Sequence, residues 1–135
     1  MMLLASAFKD YLKTVYPAVT FYAGAINKND NKCVGIYPKG RQPFFIAAGG
    51  IKNTTTWYLP LSLLIHWTEN TSECEEMARI LYEYFLTVED VVISGIRIIH
   101  FDLLDACPVD LDRDNRNICE IVIRLNVIYE NRISS

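Results

Sequence analysis

The sequence predicts an α+β fold in which two helices pack on a mostly antiparallel sheet, in the order α-β-β-β-α-β-β. Two observations lead to this class. Apolar residues recur at helical spacing in two segments, whereas elsewhere they alternate with polar residues at the spacing of two that marks a half-buried strand. Strands grouped on either side of a single helix are typical of α+β folds. The 135 residues, 51% of them hydrophobic, are enough for one domain spanning 1–135.

The first helix is predicted near the amino terminus. Leu4, Phe8, Leu12 and Val15 recur at intervals of three and four residues, which places them on one face. The helix is expected to end before Pro17, because proline disfavours helical geometry in the residue before it. We interpret this apolar run as an amphipathic helix and not as a targeting peptide, and no segment approaches the ~20 apolar residues of a membrane span.

Three strands are predicted next. Residues 19–25 and 32–37 are rich in β-branched and aromatic side chains and flank a polar turn, so we expect a hairpin. Residues 54–67 alternate, with tryptophan and leucine side chains on one face and His66 among the polar residues of the other. Because Pro60 cannot donate a hydrogen bond to a neighbouring strand, this strand is expected at a sheet edge or with a bulge.

The second helix, residues 71–88, carries the clearest helical signals. Ser72 and Glu75 have the spacing of a capping box, and acidic residues crowd the first turn, where the helix dipole favours them. An apolar stripe predicts that this helix covers one face of the sheet. The stripe consists of Cys74, Met77, Ala78, Leu81, Tyr84, Phe85 and Val88.

Two further strands complete the predicted order. Residues 119–129 alternate without a break and form the clearest strand of the sequence. The polar segment 105–117 is expected to be a turn, with Asn115 or Asn117 in the left-handed conformation. Residues 96–103 are predicted to place two polar side chains, His100 and Asp102, opposite a face made of Arg97, Ile99, Phe101 and Leu103.

One segment has carboxylates at the spacing of a calcium loop. Asp110, Asp112 and Asp114 alternate, and every second side chain of a curved loop can turn toward one cation. Asn115 replaces the glycine expected at the sixth position, however, and Ile121 stands where a bidentate glutamate belongs. A polar turn is therefore the favoured interpretation, and the three aspartates are the candidate ligands if a metal binds.

The sequence contains no pattern that indicates an enzyme or a cofactor. His100 and Asp102 lack a third partner, so we interpret them as solvent-facing side chains. Glycine-rich phosphate loops, nucleophile elbows and zinc patterns are missing. The cysteines form no C-x-x-C pair and have no activating neighbour in the sequence. Free thiols in a reducing cytoplasm are therefore expected at Cys33, Cys74, Cys107 and Cys119.

The net charge of −3 hides an uneven distribution along the chain. Residues 27–52 carry five basic residues and one acidic residue, a net +4, whereas residues 69–120 carry thirteen acidic and four basic residues, a net −9. Two solvated faces of a monomer would explain this split, and so would a subunit whose opposite surfaces meet head to tail. A mildly acidic chain is not expected to recognise nucleic acid.

A Pro-then-Asp turn leads into the long last strand. The turn reads Pro108-Val-Asp110-Leu-Asp112-Arg-Asp114-Asn115, the strand covers 118–129 and ends in an aromatic residue, and the acidic-capped helix 71–88 and the strand 54–67 precede it. In these elements and their order the chain resembles the small tail-terminator, or minor capsid, proteins of tailed bacteriophages and prophages.

The resemblance implies a virion structural protein without catalysis or cofactor. Such proteins form a homo-oligomeric ring, commonly a hexamer, that caps the finished tail tube and joins tail to head. The implied partners are other copies of the chain, the tail-tube protein and a head-completion or connector protein, with assembly in the host bacterial cytoplasm. The alternatives are another head–tail connector or a tail-tube subunit, and, from a different class, a small metal- or ligand-binding domain that uses the three aspartates.

Around a ring, the basic and acidic segments of neighbouring subunits could pair. Reversing the charge of Lys39 and Arg41 together should therefore weaken oligomers and make their stability less dependent on salt. Light scattering at low and high salt checks this, and identical assembly of wild type and variant at both salts would contradict charge pairing. The residues expected at the contact are Lys39, Arg41 and Lys52 on the basic side and Asp110, Asp112 and Asp114 on the acidic side.

Overall fold

The computed structural model describes residues 3–27, 29–38 and 56–130. The predicted α+β class and the predicted order of elements are confirmed, and two short strands, β4 and β6, are added to that order. Within the described ranges the elements are α1 (Ala5–Val15), β1 (Thr20–Ala23), β2 (Cys33–Pro38), β3 (Thr56–His66), α2 (Thr71–Thr87), β4 (Val92–Ile93), β5 (Ile96–Leu103), β6 (Val109–Arg113) and β7 (Cys119–Glu130).

The strands form one sheet in the order β1-β2-β3-β7-β5-β4, with β6 also paired to β7. β3 and β7 are antiparallel and make the longest pair, in continuous register from Thr56 opposite Glu130 to His66 opposite Glu120. Because β3 occupies one edge of β7 along this length, β5 and β6 follow one another along its other edge. The end of β3 is thereby set beside the start of β7.

Burial along β7 alternates from its first residue to its last, as the sequence predicts. Both helices cover the same face of the sheet, and the hydrophobic core lies between the helices and that face. α1 contributes Phe8 and Leu12, which are fully buried. The buried part of the predicted α2 stripe is Cys74, Met77, Ala78, Leu81 and Phe85.

At the start of each helix one predicted detail is wrong, although α2 begins at Thr71 as predicted. Leu4, expected on the buried face, is 58% exposed, because it is the extended residue that precedes α1, and Leu3 is buried instead. The cap of α2 is Asn70 and not Ser72: the Asn70 side chain accepts a hydrogen bond from the backbone N–H of Glu73 at 3.2 Å. No helix in the described part of the chain is long and apolar enough to cross a membrane.

The predicted hairpin between the first two strands is wrong. β1 and β2 pair in parallel, with Thr20 opposite Cys33 and Ala23 opposite Ile36. The polar residues between them therefore carry the chain back to the start of the pair instead of reversing it in a tight turn. The direction of pairing depends on the path of this connection, which local residue patterns do not specify.

The predicted faces of β5 are also wrong, because the strand contains an irregularity. Its register with β7 shifts between Ile98 and His100, so Ile98 and Phe101 are both buried while Ile99 is 40% exposed. An extra residue of this kind turns the following side chains to the opposite face. Among the described strands β3, which contains Pro60, lies between β2 and β7 and not at an edge, and its register with β7 is continuous through Pro60.

Three phenylalanines join the helices to the sheet. The Phe8 ring lies 6.0 Å from Phe85 of α2 and 6.1 Å from Phe101 of β5, measured between ring centroids. The Phe85 and Phe101 rings lie 5.0 Å apart. Aromatic contacts of this kind add to the free energy of burial, so this cluster is a main anchor of α1.

We expect Phe8→Ala to lower the free energy of unfolding by about 3–5 kcal/mol, because it removes a buried ring and leaves a cavity. Leu86 is 60% exposed, so the control Leu86→Ala should change this free energy by less than about 0.5 kcal/mol. Urea unfolding of both variants measures the difference. Equal effects would show that α1 is not held by the aromatic cluster.

Candidate functional site

The structure places the candidate interface residues in different surroundings. Lys39, Arg41 and Lys52 lie outside the described residues, so their part in a contact stays a prediction. Asp110 and Asp112 lie in β6, where all five residues are exposed.

The pairing of β6 with β7 contains a bulge between Asp110 and Arg113. Asp110 pairs with Ile121 and Arg113 with Cys119, so two residues of β6 stand opposite one of β7. Asp112 occupies the bulge with a φ of 71°, and its backbone N–H donates to Asp110 Oδ1 at 2.7 Å. One carboxylate oxygen of Asp110 is thus used to shape the strand.

Asp114 points inward, in contrast to the expectation that it is presented at a contact surface. Its side chain is 10% exposed, and its Oδ1 accepts hydrogen bonds from the backbone N–H groups of Arg116 and Ile118, both at 2.9 Å. The turn that follows is completed by Asn117 in the left-handed conformation, with a φ of 66°, as predicted for one of the two asparagines. Asp114 therefore organises the turn between β6 and β7.

His66 lies beside Asp114 and is completely buried, although the sequence placed it on the polar face of its strand. The β3–β7 register sets it opposite Glu120, and its Nδ1 lies 2.9 Å from Glu120 Oε2. The same nitrogen lies 3.8 Å from Asp114 Oδ2. Three elements, namely β3, β7 and the β6–β7 turn, thus bring one imidazole and two carboxylates together.

These three side chains are the group that the described residues offer as a possible metal centre. One ligand atom from each of His66, Asp114 and Glu120 lies within 4.8 Å of the other two. Of the three aspartates that the sequence singles out, Asp114 belongs to this group and Asp110 and Asp112 do not. Sequence reasoning missed His66 and Glu120, because each appears only as a polar residue of an alternating strand, 54 positions from the other.

The electrostatics of the group follow from burial and hydrogen bonding. Burial raises the pKa of the Asp114 carboxyl, but the backbone donors of Ile118 and Arg116 and the attraction of His66 and Arg116 outweigh it, so this pKa lies below its ordinary value. Asp114 is therefore an anion at neutral pH. Two further atoms, Asp114 Oδ2 and His66 Nε2, are buried and have no hydrogen-bond partner in the part of the chain that the structure describes.

The thiol of Cys33, which lies near His66, is unreactive at neutral pH. Cys33 is fully buried at the start of β2, opposite His66 on the other edge of β3. Burial, together with the negative charges of Asp30 and Glu120, raises the pKa of its thiol to about 11. The sulfur is thus protonated at neutral pH and is a poor nucleophile and a poor ligand.

The other histidine and carboxylate that the sequence singles out, His100 and Asp102, do not form a site. His100 is exposed and lines a surface cavity of about 680 Å³ together with Arg97. Asp102 lies two residues further along β5, and no hydrogen bond or ion pair joins it to His100 among the residues described. His100 thus faces solvent as predicted, whereas Asp102 is half-buried.

No protein-family model matches the sequence, and no curated protein matches it at a significant level.

We expect Asp114→Ala to lower the free energy of unfolding by about 1–3 kcal/mol, because it removes the acceptor of two backbone N–H groups and leaves a partly buried donor unpaired. Asp114→Asn keeps a side-chain oxygen at the same place, so its loss should be smaller. Urea unfolding of both variants tests this. Equal losses would contradict the role of Asp114 Oδ1 in holding the turn.

Proposed function

We propose that this chain is a virion structural protein of a tailed phage or prophage, a subunit of the homo-oligomeric ring that caps the tail tube and joins tail to head. Two things support the proposal: the resemblance of the chain to tail-terminator proteins, and the character of β6, the strand that the structure forms within the Pro-then-Asp segment of that resemblance. A ring of this kind needs a heterologous contact, in which two different surfaces of one subunit meet those of its neighbours.

The exposed strand β6 is the single observation that carries the proposal. Within the described ranges it pairs only with β7, so no described strand occupies its outer edge. Its two apolar side chains, Val109 and Leu111, are 37% and 50% exposed. An open strand edge that also exposes apolar side chains is a template for pairing with a partner.

The charge of β6 favours one kind of partner surface over others. β6 carries Asp110 and Asp112 against one basic residue, Arg113, and lies within the strongly acidic stretch 69–120. The complementary stretch is the basic segment 27–52 of the same chain. Complementary charge on two different surfaces favours a head-to-tail contact between identical subunits and suppresses like-to-like pairing.

We expect Leu111→Asn to weaken self-association of the full chain at least about tenfold, the effect of losing an apolar anchor at the centre of a contact. Leu4 is exposed to a similar degree, 58% against 50% for Leu111, but lies at the start of α1. Leu4→Asn is therefore the matched control and should leave association unchanged. Sedimentation velocity over a range of concentrations measures both.

Two results would count against the proposal. One is a wild-type chain that stays monomeric at its highest soluble concentration. The other is equal association of the two leucine variants, which would place the contact away from β6. Circular dichroism of each variant verifies that both chains are folded before the comparison is made.

A further inference from the structure

We propose that His66, Asp114 and Glu120 form a binding site for one divalent transition-metal ion of the Zn²⁺ type. The site lies where the end of β3 meets the start of β7 and the turn before it. It is separate from the exposed strand on which the proposed function rests, and it differs from the calcium-loop alternative, which would use Asp110, Asp112 and Asp114.

The spacing of the ligand atoms fits such an ion. Zn²⁺ bonds to imidazole nitrogen and carboxylate oxygen are about 2.0–2.2 Å long, which places neighbouring ligand atoms of a tetrahedral site roughly 3.4 Å apart. His66 Nδ1 lies 2.9 Å from Glu120 Oε2 and 3.8 Å from Asp114 Oδ2. These two distances bracket the tetrahedral value, and the ligand atoms of Asp114 and Glu120 lie within 4.8 Å of one another, so a closer approach of the two carboxylates would complete the coordination.

The orientation of Asp114 points independently to a ligand. Its side chain is nine-tenths buried, and its Oδ1 is held by two backbone N–H groups of the following turn. Its Oδ2 is thereby directed toward His66, yet has no hydrogen-bond partner among the residues described. A buried, ionised oxygen without a hydrogen-bond partner is costly, and a bound cation would satisfy it.

The charge of the site suits a divalent ion. Two carboxylates, those of Asp114 and Glu120, lie beside the His66 ring. A divalent cation would neutralise both. Arg116 lies close enough to attract Asp114 but is exposed to solvent, so its compensating charge is screened by water.

The mixture of donors selects the class of metal. One nitrogen and two oxygens suit Zn²⁺, Co²⁺ or Mn²⁺, whereas Ca²⁺ and Mg²⁺ prefer oxygen ligands only. Three protein ligands leave a fourth position for water. The Glu120 side chain is 19% exposed and provides the side from which an ion can enter.

Isothermal titration calorimetry of the metal-free full chain with Zn²⁺ tests the site. We expect one ion per chain, and at least about tenfold weaker binding in Glu120→Gln and in Asp114→Asn, since loss of even an outer-shell partner weakens metal binding tenfold or more. The matched control is the double variant Asp110→Asn/Asp112→Asn, which removes two carboxylates of the same segment and should bind Zn²⁺ like wild type. Ca²⁺ should bind more weakly than Zn²⁺.

Co²⁺ provides a second readout, because its absorption spectrum distinguishes sulfur from nitrogen and oxygen ligands. The exposed thiol of Cys107 is the competing ligand in this chain. We expect no thiolate-to-cobalt band and unchanged affinity in Cys107→Ser. The proposal is overturned if folded wild type binds no Zn²⁺, if Glu120→Gln and Asp114→Asn both bind it as wild type does, or if binding disappears in Cys107→Ser.

Discussion

The antiparallel pairing of β3 with β7 is the interaction on which the rest of the structure depends. It forms the centre of the sheet, with β2 along one side and β5 and β6 along the other. Both strands bury one face beneath the helices, and a slip of one residue would turn every one of those side chains to the wrong face. The register that fixes the core also sets His66 opposite Glu120, so the core and the candidate site are specified together.

The sequence predicts those elements whose pattern is local and complete. β7 alternates over its whole length, and the α2 stripe follows helical spacing, so class and order can be read directly from the sequence. The parallel direction of β1 and β2 and the shifted register after Ile98 depend on contacts between distant segments. The candidate site also depends on contacts between distant segments. Alternation places His66 and Glu120 on polar faces, but only the strand pairing brings the two side chains together under the turn of Asp114, where His66 is fully buried.

The hairpin of β6 and β7 connects the two proposals physically. Along β6 it exposes Leu111 and the two outward aspartates, while at its tip Asp114 turns inward and closes the chain over His66. A cation bound at that point would tie the tip of the hairpin to β3 and so restrict β6, the strand that we propose meets a neighbouring subunit.

Native mass spectrometry of the full wild-type chain tests the central claim, that this protein is a building block of a closed ring, most directly. We expect a single dominant assembly of fixed stoichiometry, six by the resemblance to tail terminators. No larger species should appear as concentration rises, because a heterologous contact that closes by rotation leaves no contact surface free. A monomer at every concentration, or a continuous ladder of growing oligomers, would contradict it.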